Sequence, residues 1–167
     1  MTRSEMEIMI KLRAAVWVTI VAALLAVNAW IGGSNSSKIM GNTIAANNQW
    51  AWYQAKNSRA TLDSAIADIA SMDGKASGVK LAMYYRTEAQ RLRGDMDEIS
   101  AKAKHLEAER DQAVKSSPYF TYAGIALQLG IVLSTAAILA VAMPLFWASV
   151  GVGSIGTALF FFAQFGV

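Results

Sequence analysis

Residues 119–167, YFTYAGIALQLGIVLSTAAILAVAMPLFWASVGVGSIGTALFFFAQFGV, hold 49 positions without one Asp, Glu, Lys or Arg, and their reading decides the fold. As a single helix this stretch would measure roughly 73 Å, more than twice the ~30 Å apolar thickness of a bilayer. It must therefore fold back. Pro144 is the natural corner, because proline lacks the N–H that a continuing helix needs. The sequence predicts one span over 119–143 and another over 145–166. Tyr119, Phe120 and Tyr122 form an aromatic belt at the entrance to the first, and Phe146 and Trp147 form one at the far turn. Ser149, Gly153 and Thr157 recur at four-residue steps, a small-residue stripe suited to helix–helix contact, and Gly130 and Ser134 offer a similar notch.

Upstream, residues 14–37 are likewise free of formal charge, so every charge lies in 1–13 or 38–115. That segregation is a membrane pattern. The 18 residues from Ala14 to Ile31 give roughly 27 Å of helix, enough for a span over 14–32 behind a charged tail at 1–13. Trp17 and Trp30 lie toward its two ends. A cleaved signal peptide, cut after Val27-Asn28-Ala29, is the competing reading, and an uncleaved anchor is the expectation. Composition agrees: 54% of residues are hydrophobic and 16% charged, greasier than a soluble average of about 45–50% and 25%. The net charge of +3 comes from interleaved acids and bases and implies no nucleic-acid partner. No cysteine is present, which excludes disulfides and thiol chemistry.

Between the apolar ends, residues 38–117 read as an extramembrane antiparallel helical hairpin. Gly32-Gly33-Ser34-Asn35-Ser36-Ser37 is a break in the pattern ahead of it, either a bend at the membrane surface or a weak spot in one long helix. Ala51, Ala55, Ser58, Leu62, Ala65, Ile69 and Met72 alternate at steps of four and three, the seam of a coiled coil. A helix stop and turn follow near 73–78. A returning seam has Ala82, Ala89, Met96 and Ala103 in one row and Tyr85, Leu92, Ile99 and Leu106 in the other. Folding about the turn places residue i opposite roughly 150 − i. Lys56 and Arg59 then face Asp95, Asp97 and Glu98, Trp52 meets Met96 and Ile99, and Leu62 meets the stretch from Glu88 to Leu92. The expected fold is an all-α membrane protein: three transmembrane helices plus this coiled-coil hairpin.

The run Asn48-Gln49-Trp50-Ala51-Trp52-Tyr53-Gln54-Ala55-Lys56 is the most unusual in the chain. It resembles the QWAYYQAK hallmark of a bacterial membrane-protein family catalogued as a domain of unknown function, number 4337. The layout is similar too: a first span, the motif, a charged helical region and two closing spans, the last opening with Leu145-Phe146-Trp147-Ala148-Ser149. Two departures stand out, a missing acidic or histidine-bearing N-terminal extension and the absence of basic residues between the last two spans. The resemblance implies an architecture and a bacterial inner membrane, and no reaction.

Chemistry-bearing constellations are sparse. His105 is the single histidine and has one carboxylate, Glu109, at helical spacing, too few ligands for a metal site. Asp95, Asp97 and Glu98 lie in a helical pattern without a calcium-loop glycine and read as a salt-bridged face. Gly151-x-Gly153-x-x-Gly156 fits a dinucleotide fingerprint by letters alone, with no strand before it. No nucleophile–base arrangement is present, so the chain reads as no enzyme, with no cofactor. Asn28 and Gln128 are expected to bond across spans, beside packing at Gly130, Ser149, Gly153 and Thr157. Trp50, Trp52, Tyr53 and Lys56 are the expected partner-binding residues, since exposed aromatics beside a cation are typical anchors. Lys11 and Arg13 abut the first span, which predicts a cytoplasmic N-terminus and a periplasmic hairpin. The expected role is a non-catalytic scaffold or accessory subunit in the lipid bilayer, bound to other membrane subunits or to itself. A homo-oligomeric channel or membrane sensor is the alternative.

Overall fold

The structure, a computed structural model, describes residues 3–72 and 74–166, with the side chains of Arg3 and Met6 left out. The tail's first two residues, Asp73 of the expected turn, and Val167 lie outside the described residues. All regular structure among them is helical, in three elements: α1 (Arg3–Met72), α2 (Ala76–Ala140) and α3 (Met143–Phe165). Each contains a stretch long and apolar enough, by length and composition, to cross a membrane. The chain divides into two compact units, Met1–Ile39 with Asp111–Val167, and Met40–Arg110.

The corners obey local chemistry. Between α1 and α2 the chain turns at Gly74, whose φ of +63° is a left-handed conformation that glycine takes without strain. At the second corner Ala142 donates its backbone N–H to the carbonyl of Ala137 at 3.2 Å, the six-to-one bond of a Schellman motif. Val141 fills the left-handed position with φ +49°, where a β-branched side chain is strained. Pro144 sits in the first turn of α3, where its missing N–H costs nothing.

Of the two readings of Gly32 to Ser37, the structure takes the one that keeps a single long helix. Gly32 to Ser37 is continuous α-helix within α1, and α2 runs through Pro118. The glycine there serves close packing: a Cβ on Gly32 would lie 3.3 Å from the Cβ of Phe120. Ser37 donates its hydroxyl to the carbonyl of Gly33 one turn back, at 3.0 Å. Near Pro118, Asn35 donates to the carbonyl of Ala113 at 2.9 Å and Asn28 to that of Phe120 at 3.0 Å. Two amides from α1 thus hold α2 on either side of its proline.

In the three-helix unit, backbones approach closely wherever side chains are small. A Cβ on Gly130 would sit 3.3 Å from the Cα of Gly153, and one on Gly156 would sit 3.0 Å from the backbone nitrogen of Leu127. Around these notches lie two apolar clusters, Phe120, Ala123, Phe160 and Ala163 in one and Ala14, Ala137 and Phe146 in the other.

In the hairpin unit α1 and α2 are antiparallel, and the seam that joins them differs from the expected one on α1. Ala46, Ala60, Asp63 and Ala67 are buried, with Gln49, Trp50, Tyr53, Lys56 and Ala70 half-buried beside them. The expected members are all exposed: Leu62 is 60%, Ile69 70% and Met72 85% accessible. Ala60, not Leu62, packs against Ala89 and Leu92. At about 100° per residue, Ala60 is half a turn in azimuth from Ala51, so α1 carries two heptad seams on opposite faces. The large aliphatic side chains, Leu62, Ile69 and Met72, are on the outer one. On α2 the expected rows do face inward: Ala82, Ala89, Leu92, Met96 and Ala103 are buried, and Tyr85, Ile99 and Leu106 are half-buried.

Candidate functional site

The aromatic motif lies on α1 in the hairpin unit, and the structure divides its residues. Trp50 donates its indole N–H to Glu107 Oε1 at 2.9 Å and meets Tyr53 edge-to-face, with ring centroids 5.6 Å apart. Lys56 Nζ reaches Asp95 Oδ2 at 2.5 Å. Of the motif's three aromatics Trp52 is the exposed one, with 67% of its surface accessible. It borders a groove of about 370 Å³ together with Gln49, Lys56, Asp95, Ile99 and Lys102. The expected proximity of Trp52 to Ile99 is present in that groove. Of the four expected partner-binding residues, Trp50, Tyr53 and Lys56 are half-buried in the hairpin and Trp52 is exposed.

Charged partners surround it. Arg91 bonds Glu88 at 2.6 Å and lies 3.4 Å from Asp95, and Arg86 lies 3.4 Å from Asp68. The Lys56 ammonium bonded to Asp95 holds that carboxyl below the usual range, against partial desolvation. The Arg91 hydrogen bond does the same for Glu88, and the Arg91 guanidinium is raised in turn. Arg59 lies 4.0 Å from Asp63 on its own helix instead of facing Asp97 or Glu98. Asp63 Oδ2 is buried with no hydrogen-bond partner, a polar group inside an alanine seam. Asn42 donates to Glu109 at 3.1 Å, in the same register as Lys56 and Asp95.

In the three-helix unit the small-residue stripe is consumed internally. Ser149, fully buried, donates its hydroxyl to the carbonyl of Gly130 at 2.7 Å and accepts the Trp17 indole N–H at 3.1 Å. Trp17, expected at an interface, is thereby half-buried against α3. Gly153 faces Trp17, and Thr157 turns its hydroxyl onto the carbonyl of Gly153. Ser134 reaches the carbonyl of Ala14 at 3.3 Å. Asn28 is buried as a cross-helix donor, while its Oδ1 has no partner among the protein atoms. Gln128 departs from its expected role: its side chain is exposed, so it bridges no helices here.

Among the described residues, no three His, Cys, Asp or Glu side chains gather as metal ligands. His105 is exposed. What sequence reading missed is the outward heptad seam itself, whose 4–3 spacing was visible but was assigned to the hairpin's interior.

An all-helical chain with three long helices, three apolar stretches and a charged hairpin defines a class. Within it, this chain belongs to the family described as Domain of unknown function (DUF4337), whose family model matches residues 11–166. No curated protein and no solved structure matches the chain.

Proposed function

We propose that this is an integral membrane protein with spans near 14–32, 119–143 and 145–166, working by assembly and not by catalysis. In this reading the N-terminus is in the cytoplasm of a bacterium and the hairpin is in the periplasm. The hairpin is a docking arm for other subunits of a membrane complex.

The outer seam of α1 carries the reading. Ala51, Ala55, Ser58, Leu62, Ala65, Ile69 and Met72 keep the 4–3 spacing that lets a second helix interdigitate, and none is covered within the chain. Leaving Leu62, Ile69 and Met72 in water forgoes about 1.5–3 kcal/mol of burial for each large side chain. Trp52 adds an aromatic anchor beside the seam's first turn. The small residues of the three-helix unit are already spent on each other, so the partner surface proposed here is the hairpin.

Extraction in mild detergent, native sizing and mass spectrometry of companions test this reading. The expected result is an assembly containing other polypeptides, lost when Leu62→Glu and Ile69→Glu are combined. Because a 4–3 seam on one helix also pairs in register with a copy of itself, a ring of this chain alone is the rival outcome. That result would replace the accessory subunit with a homo-oligomeric channel or sensor. A monomer in both forms would remove the docking role.

A further inference from the structure

In the three-helix unit a cleft of about 360 Å³ opens where the three helices change character together. Lys38 is the first charge on α1 after residues 14–37, Gln112 and Ser116 flank the last charge of α2, and Gln164 lies at the end of α3. Ile31, Phe120 and Ala163 form the floor, which continues into the cluster of Ala123 and Phe160. Trp30, 76% accessible, stands at the mouth. Among the described residues no carboxylate lines the cleft, and Lys38 is the single formal charge in its wall. Asn35 and Ser116 are engaged with the carbonyl of Ala113, whereas Lys38, Gln112, Gln164 and Ser34 make no side-chain bond among the described residues.

A cation with neutral donors above an apolar floor is complementary to an amphiphile with an anionic head. We propose that this cleft binds the phosphate-bearing headgroup of an anionic phospholipid. Lys38 is the charged contact, Gln112, Gln164 and Ser34 donate to phosphate oxygens, and an acyl chain lies along Phe120 and Ala163. The apolar floor favours a lipid over free phosphate, which has nothing to place there. The proposal rests on the membrane reading above and is tested apart from it.

Full-length protein in a neutral detergent is melted while phosphatidylglycerol, phosphatidylcholine or inorganic phosphate is titrated in. Phosphatidylglycerol is expected to raise Tm at the lowest mole fraction, phosphatidylcholine to do less, and inorganic phosphate to do nothing. Lys38→Gln should raise the half-saturating phosphatidylglycerol fraction about fivefold, the worth of one lysine at an anionic surface. Lys38→Arg, which keeps the charge, and Lys80→Gln, on the hairpin unit, should respond like the wild type. The Arg form also guards against a Gln form that fails to fold. An equal response in Lys38→Gln and wild type, or equal shifts from both lipids, overturns the proposal. A matching shift from inorganic phosphate overturns the lipid as occupant. Release of the wild type from membranes by alkaline carbonate would instead defeat the membrane reading, whatever the titration shows.

Discussion

The two units are both built on small residues, yet their polar contacts belong to different chemistries. In the three-helix unit the cross-helix bonds at Ser149, Trp17, Ser134 and Asn28 are neutral: hydroxyl, indole or amide donors meet a backbone carbonyl or a hydroxyl. In the hairpin unit the corresponding bonds use charge: Lys56 with Asp95, Arg86 with Asp68, Trp50 with Glu107 and Asn42 with Glu109. Neutral donors are the inexpensive way to join helices where no water is available, because an ion there carries a large desolvation cost. Water-exposed ion pairs are individually weak but set register. The contrast is what a chain with one lipid-facing and one water-facing unit would show.

The sharpest way to break the comparison is at Gly156, where a new Cβ would meet backbone and cannot be accommodated by a rotamer change. Gly156→Leu should cost about 1–3 kcal/mol or more, with loss of the three-helix fold in detergent measured by near-ultraviolet circular dichroism. Ser149→Ala removes one bond and strands the half-buried Trp17 N–H, for an expected loss of about 1–3 kcal/mol. Hydrogen exchange should show that loss in residues 111–166 and not in 40–110. A change of the opposite sign is expected at Asp63. Its buried Oδ2 has Arg59 at 4.0 Å but no hydrogen-bond partner among the described residues, so Asp63→Ala should stabilise the hairpin by roughly 1 kcal/mol in the same exchange experiment.

Acid should separate the units further. The carboxyls of Asp95 and Glu88 are held below their usual range in the folded chain, so the unfolded chain takes up protons first as the pH falls. Their contribution is complete above the ordinary carboxylate range and is lost as pH drops through the lowered folded values, below about pH 4. Protection of residues 86–100 should fall there, and in high salt, while α3 is unchanged. The smallest effect is expected at Trp52. Trp52→Ala should alter stability by less than about 0.5 kcal/mol, as an exposed residue does, yet weaken assembly.

Much of this was legible in the sequence. The uncharged stretch ending the chain and Pro144 located the last two helices, the glycine turn located the hairpin tip, and the 150 − i register brought Lys56 to Asp95. What misled was size. Leu62, Ile69 and Met72 outweigh Ala46, Ala60 and Ala67 on any hydrophobic scale, so the outer seam was read as the inner one. The true inner seam carries Lys56 and Asp63 at interior positions, where pattern reading expects apolar residues. Gly32 and Pro118 show a related limit: each residue type normally punctuates a helix, but here one makes room for Phe120 and the other is braced by Asn28 and Asn35. Such uses are decided by the neighbouring helix, which local sequence does not contain.

The outward seam is the centre of the account, and the chain's lack of cysteine allows it to be probed directly in native membranes. Single Leu62→Cys and Ile69→Cys variants would be exposed to a water-soluble maleimide before and after detergent purification, with Met83→Cys, 71% accessible on α2, as the reactive control. Protection of both seam positions in the membrane, lost on purification to a monomer, is the predicted result. Labelling in native membranes as fast as at the control position would show that nothing covers the seam and would contradict the account.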